Sequence, residues 1–304
     1  DNTLYGHLPT WLPQLRSLVN LNLSRNFFRD TIPDSYYDMT NLTTLEMANN
    51  ILRGSISDSG LSQLVNLRML NLGSNRLNGT LPKSIGLLPN LTSALLVYNF
   101  LSGTIPVEIT ESRSLTVFTV FRNRLNGTIP ASFGNMTQLE SLILGDNFFT
   151  RTLPSSLGQL TSLRTLNAAS NYLVGTFPEW VCNLSNLTDI QFYENMLEST
   201  LPACFRNLTK LMQVVLGSNL FSSSVPTMFE DMPNLFYLDL THNMFTGFLP
   251  VGEWELLYFY QVSHNMFRGN ISETLLSTSK NLHYFVVDKN MLTGTVSEVV
   301  GNNR

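Results

Sequence analysis

In the segment LTSALLVYNFLSGTIP, residues 91–106, apolar positions recur with a fixed phase, and Asn99, Gly103 and Pro106 interrupt them. The same phase returns along the whole chain. Asparagines fall at 2, 26, 50, 75, 99, 123, 147, 171, 195, 219, 243, 265 and 290, in nine steps of 24 residues, two of 25 and one of 22. A constant period of this length is the signature of a solenoid, in which each repeat is one coil stacked on the last. Aligned on the asparagine, the repeat reads L-x-x-L-x-L-x-x-N-x-L-x-G-x-I-P, as in LRMLNLGSNRLNGTLP (67–82) and LTVFTVFRNRLNGTIP (115–130). The L-x-L before the asparagine alternates with period two, which predicts a short half-buried strand. Its inward pairs include Leu21/Leu23, Leu70/Leu72, Leu142/Leu144 and Leu238/Leu240. Stacked coils then place these strands side by side in one parallel sheet.

The interruptions have a structural reading. The chain bends away from the strand at the asparagine, and buried backbone groups at a bend need partners. An Asn amide offers two donors and an acceptor, so a column of them can bridge successive coils. The spacing assigns this role to Asn26, Asn50, Asn75, Asn99, Asn123, Asn147, Asn171, Asn195, Asn219, Asn243, Asn265 and Asn290. Glycine permits a tight backbone, and proline extends the chain without an amide donor. Departures mark local differences. Asp30, Arg151, Ser199 and Ser223 stand at the glycine position, and Ser57, Ser272 and Ser297 at the proline. The coil between Asn243 and Asn265 is two residues short, which predicts a kink or bulge there.

The N-x-L-x-G-x-I-P half of the repeat, present over nearly all of the chain, resembles the plant-type leucine-rich repeat. This subclass is found in ectodomains of receptor-like kinases and receptor-like proteins, and in polygalacturonase-inhibiting proteins. The resemblance implies a strand-rich α/β solenoid: a right-handed superhelix with a parallel sheet on its concave face and irregular or 3-10 segments on the convex side. Residues 1–304 read as a single domain of about 12 coils. The family's cysteine-bearing caps are absent from both ends, and solenoids need caps to shield their terminal cores. The chain therefore reads as a fragment lacking both caps, against a natural uncapped solenoid.

Composition narrows the class. A net charge of −4 argues against a nucleic-acid binder. The longest apolar stretch, ELLYFYQV at 255–262, is far too short to span a membrane, so a membrane enters only through segments outside this chain. Ten N-x-S/T sequons occur. Nine of them, at Asn41, Asn78, Asn90, Asn126, Asn135, Asn183, Asn186, Asn207 and Asn270, fall on flanks or the convex side of the repeat frame and are candidate glycosylation sites. Asn22 alone projects from the strand face. This placement suits an extracellular or cell-surface protein. Cys182 and Cys204 lie in adjacent coils, offset by two residues in register, which leaves a disulfide and two buried thiols equally open.

The repeat frame also sorts the outward residues. Positions −6, −4, −2, −1 and +1 from each asparagine form columns on the concave face, the surface repeat proteins use for binding. Leu95, Val97, Tyr98 and Phe100, then Val117, Phe121, Arg122 and Arg124, then Ile143, form an apolar and aromatic patch flanked by cations. Tyr, Phe and Arg are favoured anchors at interfaces. A second region gathers Asp189, Gln191, Tyr193 and Glu194, then Tyr237, Asp239 and His242, then Phe259, Gln261 and His264, and finally Tyr284, Asp288 and Lys289. His242 and His264 occupy one column in adjacent coils. Their readings are a metal pair completed by Asp239, a pH-sensitive contact, or two solvated histidines, of which the last is the simplest.

Signals of catalysis are weak. Ser263, His264 and Asp239 assemble into a triad only on paper, without a nucleophile elbow or a cleft. No phosphate-binding loop or dinucleotide fingerprint occurs, and no cofactor or metal is implied. The sequence thus points to a non-enzymatic module that binds a protein or peptide, with a carbohydrate or co-receptor as further partners. Its place is the recognition part of a receptor-like protein. The alternative is a secreted inhibitor or adhesion protein that binds cell-wall polysaccharide or a polysaccharide-degrading enzyme.

Overall fold

A computed structural model describes residues 2–225 and 227–295. Ser297 lies outside the described residues. The chain forms two compact units, Asp1–Thr150 and Arg151–Arg304, each a stack of coils.

In the first unit, six parallel strands build the strand face: Asn20–Asn22, Thr44–Glu46, Met69–Asn71, Ser93–Leu95, Val117–Thr119 and Ser141–Ile143. Each strand pairs with its neighbour at the repeat spacing, as in Leu45↔Leu70, Leu70↔Ala94, Ala94↔Phe118 and Phe118↔Leu142. The central residue of every strand is buried, with the leucines of the repeat stacked on it from coil to coil. The second unit repeats this plan with Thr165–Asn167, Asp189–Gln191, Gln213–Val215, Tyr237–Asp239, Phe259–Gln261 and Tyr284–Val286. Its core is richer in phenylalanine. Phe177 packs edge-on against Phe192, Phe205 and Phe221, and Phe245 stacks 6.1 and 6.2 Å from Phe221 and Phe267. These stacks follow from one aromatic position repeated along the column.

The asparagine column shows why the interruptions recur. Asn123 donates through Nδ2 to the carbonyls of Val120 and Phe121 in its own coil, at 3.0 and 3.4 Å. It also donates to Leu96 of the previous coil at 2.9 Å, and its Oδ1 accepts from the Leu101 amide at 3.0 Å. Asn99 makes the same four bonds, to Leu96, Val97 and Leu72 and from Leu77. One side chain thus satisfies two bend carbonyls and ties its coil to the one before.

A second feature of the bend is less evident in the sequence. The residue immediately before each asparagine has a left-handed backbone. In the first unit these are Arg25, Asn49, Ser74, Tyr98, Arg122 and Asp146; in the second they are Ser170, Glu194, Ser218, His242, His264 and Lys289. Their φ values lie between 49° and 57°. Such a run of non-glycine residues is costly by itself. It persists because each bend is held by hydrogen bonds on both sides, as in Arg122 N to Gly145 O (3.0 Å) and Asn123 N to Asp146 O (3.1 Å). The later glycine position is also left-handed, with φ of 80° at Gly103. Asp30, Arg151 and Ser199 keep that conformation at 68°, 72° and 77°, so these replacements change a side chain and leave the path of the chain intact.

On the convex side, Pro33, Pro106, Pro130, Pro154, Pro178 and Pro202 each precede a 3-10 helix. The two described serines at the proline position do something different. Ser57 and Ser272 cap the α-helices Asp58–Leu61 and Glu273–Thr278, accepting from the Gly60 and Thr274 amides. A serine oxygen satisfies an orphan helix amide that a proline cannot. In the short coil, Tyr237, Leu238 and Asp239 still pair with Phe259, Tyr260 and Gln261, so the sheet does not break. The deletion is absorbed on the convex side, where no helix forms between Gly247 and Phe259. Fully buried Trp254 donates to Phe229 O at 2.9 Å, and buried Tyr260 bonds Pro250 O at 3.1 Å.

Cys182 and Cys204 form a disulfide, with Cα atoms 5.8 Å apart. The two-residue register offset does not prevent it. Both cysteines sit in 3-10 helices, Glu179–Asn183 and Ala203–Asn207, where two residues advance only about 4 Å.

Candidate binding face

In the first unit, Tyr98 and Phe100 flank Asn99 and are 45% and 43% exposed. Leu95 and Val97, on the same strand and bend, and Val117, Phe121 and Ile143 from the next two coils are half-buried, each covered by its neighbours. The rings of Tyr98 and Phe121 meet edge to face at 5.5 Å. The Arg122 guanidinium lies over the Tyr98 ring at 5.3 Å and reaches Asp146 at 3.5 Å. The Arg124 guanidinium lies over Phe100 at 4.7 Å. The chain Tyr98–Arg122–Asp146 follows one column of left-handed residues, so its backbone anchors are fixed by the bend rather than by a loop. The face offers two exposed cations seated over aromatic rings, of which Arg122 is also paired with Asp146. Cation–π contacts of this kind contribute roughly 0.5–1 kcal/mol each at exposed sites.

The second unit places its sequence-selected residues in three groups. Asp189 accepts from Thr188 Oγ1 at 2.6 Å, and Gln191 bridges Asn167 at 2.8 Å and Gln213 at 3.4 Å. Glu194 accepts from Ser170 at 2.9 Å, with Tyr193 exposed beside it. Further along, Tyr237 meets Phe259 at 4.8 Å, and Phe259 stacks on Tyr284 at 4.5 Å. His242 and His264 stack with ring centroids 3.8 Å apart. Asp288 and Lys289 are exposed in the coil beyond.

Asp239 corrects an expectation. The repeat frame places it on the outer face as a ligand beside the histidines, yet it is only 6% exposed. Its Oδ1 accepts from the amide and hydroxyl of Thr241, at 2.8 and 2.6 Å. Burial raises its pKa, and the two Thr241 bonds oppose that shift. The same bond to the amide two residues along forms wherever Asn or Asp stands at −4, and it goes with burial at Asn167 while Asn22 stays exposed. Asn22 accepts from the Ser24 amide, Asn71 from Gly73 and Asn167 from Ala169. A short polar side chain folds back onto its own backbone when the residue two along leaves room. Ser263 is likewise only 5% exposed, and no bond joins it to His264 or Asp239 among the described residues. No cluster of three metal-binding side chains occurs among them either.

One surface escaped the outward columns. Phe236, Tyr258 and His283 stand at −7, just before the alternating strand pattern begins. Phe236 stacks on Tyr258 at 5.5 Å, and Tyr258 on His283 at 4.1 Å. With Tyr237, Phe259 and Tyr284 they make an array of rings two columns wide over three coils. The signal lay in the sequence, as an aromatic pair before each of three successive strands: FY at 236–237, YF at 258–259 and HY at 283–284.

Known proteins share this arrangement. The model of the leucine-rich repeat region matches residues 50–246, and a single leucine-rich repeat matches 17–39. The phytosulfokine receptor 1 of Arabidopsis thaliana is 42% identical over 59 residues, 19% of this chain and 6% of the receptor. A plant peptide hormone receptor, RGFR1, solved in complex with RGF2, superposes with a TM-score of 0.84 at 32% identity, over 100% of this chain and 52% of that one. The Arabidopsis receptor kinase HAESA, in complex with the peptide hormone IDA and the co-receptor SERK1, gives 0.86 at 28% identity, over 98% and 55%. The chain thus spans about half of these solved ectodomains. With its ladder of asparagines, its parallel strand face and a family match over most of its length, the chain belongs to the plant-type leucine-rich repeat family.

Proposed function

We propose that this chain is the ligand-recognition part of an extracellular receptor-like protein, and that it binds an extended peptide across its strand face without chemistry. The observation that carries the reading is the Tyr98–Phe121–Arg122–Arg124 cluster: exposed Tyr98 and two exposed guanidinium groups around the half-buried Phe121 ring, on the strand face. Solved relatives of the same architecture are hormone receptors in complex with peptides. The Cys182–Cys204 disulfide and the flank-side sequons suit an oxidising, extracellular setting. In a receptor, the bound peptide would act through a membrane or kinase segment outside this chain.

The test is a ligand screen followed by mutation. A panel of plant-derived secreted peptides is passed over the immobilised protein, and affinities are measured for those retained. Tyr98→Ala with Phe121→Ala is expected to weaken the retained peptide by about 30-fold, as for an interface anchor worth roughly 2 kcal/mol. Unchanged affinity in the folded double variant would overturn this placement of the site.

A further inference from the structure

His242 and His264 are the nearest pair of titratable rings on the strand face of the second unit. Their centroids are 3.8 Å apart and their planes differ by 21°. The spacing is tighter than the roughly 4.8 Å between strands, so the rings lean together. Both residues have left-handed backbones, with φ of 50° and 54°, which fixes where each side chain leaves the chain. No ring nitrogen of either has a hydrogen-bond partner among the described residues. Stacking alone holds the pair, and stacking of this kind suits neutral imidazoles.

The surroundings of His264 favour a proton poorly. Burial, His242 and Lys289 all lower the pKa of His264, in that order, and Asp288 opposes them. On the other side, Ser218 and Gly217 carry no charge. Asp239 attracts His242 but is buried and bound to Thr241. Glu194, two coils back in the same column, is engaged by Ser170. When both rings gain protons, His242, His264 and Lys289 become three consecutive cations in one column, and Asp288 is the one exposed acid beside them. Two such charges on rings 3.8 Å apart repel. An anion lying along the column relieves that repulsion. Met244 and Met266 are exposed two residues after the histidines, and half-buried Tyr237 and Phe259 lie five residues before them on the same coils, which gives its neighbours apolar surface.

We propose that the His242–His264 pair makes this part of the strand face an acid-dependent docking site for a peptide segment carrying carboxylates next to aromatic residues. The inference goes beyond the Tyr98–Phe121 patch and does not need it. A carboxylate bound to the column favours the protonated rings, so binding takes up protons. Affinity then rises as pH falls toward and below the ordinary histidine range, by up to tenfold per pH unit for each proton taken up.

The probe is a capped hexapeptide of alternating Glu and Tyr, with its Gln–Tyr counterpart as control, titrated by fluorescence anisotropy at pH 5.0 and 7.5. The Glu–Tyr peptide is expected to bind at least tenfold more tightly at pH 5.0, and the Gln–Tyr peptide equally at both. The H242Q/H264Q variant should lose the gain at pH 5.0 and keep the affinity at pH 7.5. Both substitutions are at the surface, and circular dichroism verifies the fold. Proton NMR of the imidazole resonances should show two coupled titration steps. Independent titration of the two rings at ordinary values, or acid-enhanced binding that survives H242Q/H264Q, overturns the proposal. Tyr98→Ala with Phe121→Ala should leave the response intact, so failure of the first site and failure of this one are read separately.

Discussion

Arg122 and Asn123 are adjacent in the chain and opposite in duty. Asn123 points inward, where four hydrogen bonds spread over two coils leave it no freedom to vary. Arg122 is exposed on a left-handed backbone that the same bend imposes, and its side chain lies over Tyr98 and reaches Asp146. The inner column is therefore the same residue in every coil. The outer column reads Arg25, Asn49, Ser74, Tyr98, Arg122 and Asp146 in one unit and Ser170, Glu194, Ser218, His242, His264 and Lys289 in the other. The lesson is that the solenoid separates stability from recognition one residue apart. A fixed backbone carries a free alphabet of side chains.

The sharpest way to break this comparison is at the ladder. Asn123→Ala leaves the buried Leu101 amide without its acceptor and takes one donor each from the Leu96 and Val120 carbonyls, which Asn99 and Asn147 still bond. The expected loss is about 2 kcal/mol, since one unpaired buried group costs roughly 1–3 kcal/mol and the tie to the previous coil is lost with it. Urea denaturation measures it. Wild-type stability in the variant would mean that the coils are held by their leucines alone.

The outer column should behave in reverse. Tyr98→Ala with Phe121→Ala removes an exposed and a half-buried ring that meet at 5.5 Å. Their loss is expected to cost about 1 kcal/mol of stability while removing most of the binding. A midpoint shift as large as that of Asn123→Ala would show that the patch is part of the core.

This division explains what the sequence made legible. The coil plan was readable because one chemistry repeats at every asparagine, so each position is sampled a dozen times. The outward placement of Tyr98, Phe100 and Arg124 followed from that frame. Three things did not. Asp239 obeys the frame in its backbone and leaves it through its side chain, because Thr241 offers two donors within reach. The aromatic array at −7 lies just before the period-two alternation starts, where the frame assigns no direction. The disulfide joins two 3-10 helices, where a register offset of two residues is a displacement of only about 4 Å and does not keep the sulfurs apart.

Asp239 gives a finer test of the boundary between the two columns. Asp239→Asn retains an oxygen for Thr241, as Asn167 does for Ala169, and removes a charge that burial disfavours. Stability at pH 7 is expected to rise by up to about 1 kcal/mol. The pH dependence should change with it. A carboxyl whose folded pKa is raised makes the native state hold its proton more firmly than the unfolded chain. Stability of the parent therefore increases as pH falls from neutral through that raised value toward the ordinary carboxylate range, and is level below it. The variant should lack that increment. A destabilised variant at pH 7 would assign the charge itself a role, such as attracting His242.

The smallest expected effect lies where the comparison is purest, in a residue whose backbone is fixed and whose side chain is free. Ser199 stands at the glycine position with φ of 77°, within the range set by Gly54 and Gly175 at 76° and 95°. Glycine takes this conformation without the steric cost that a Cβ brings, but it loses more entropy on folding. The two terms nearly offset each other, and Ser199→Gly is expected to stabilise the protein by about 0.5 kcal/mol. Gly175→Ala works in the opposite direction and harder, because a Cβ there would stand 2.9 Å from the Thr152 methyl carbon. Thermal midpoints of the two variants should move to opposite sides of the parent. If Ser199→Gly lowers the midpoint instead, the serine side chain itself holds the coil, and the flank is no longer a surface on which only the backbone counts.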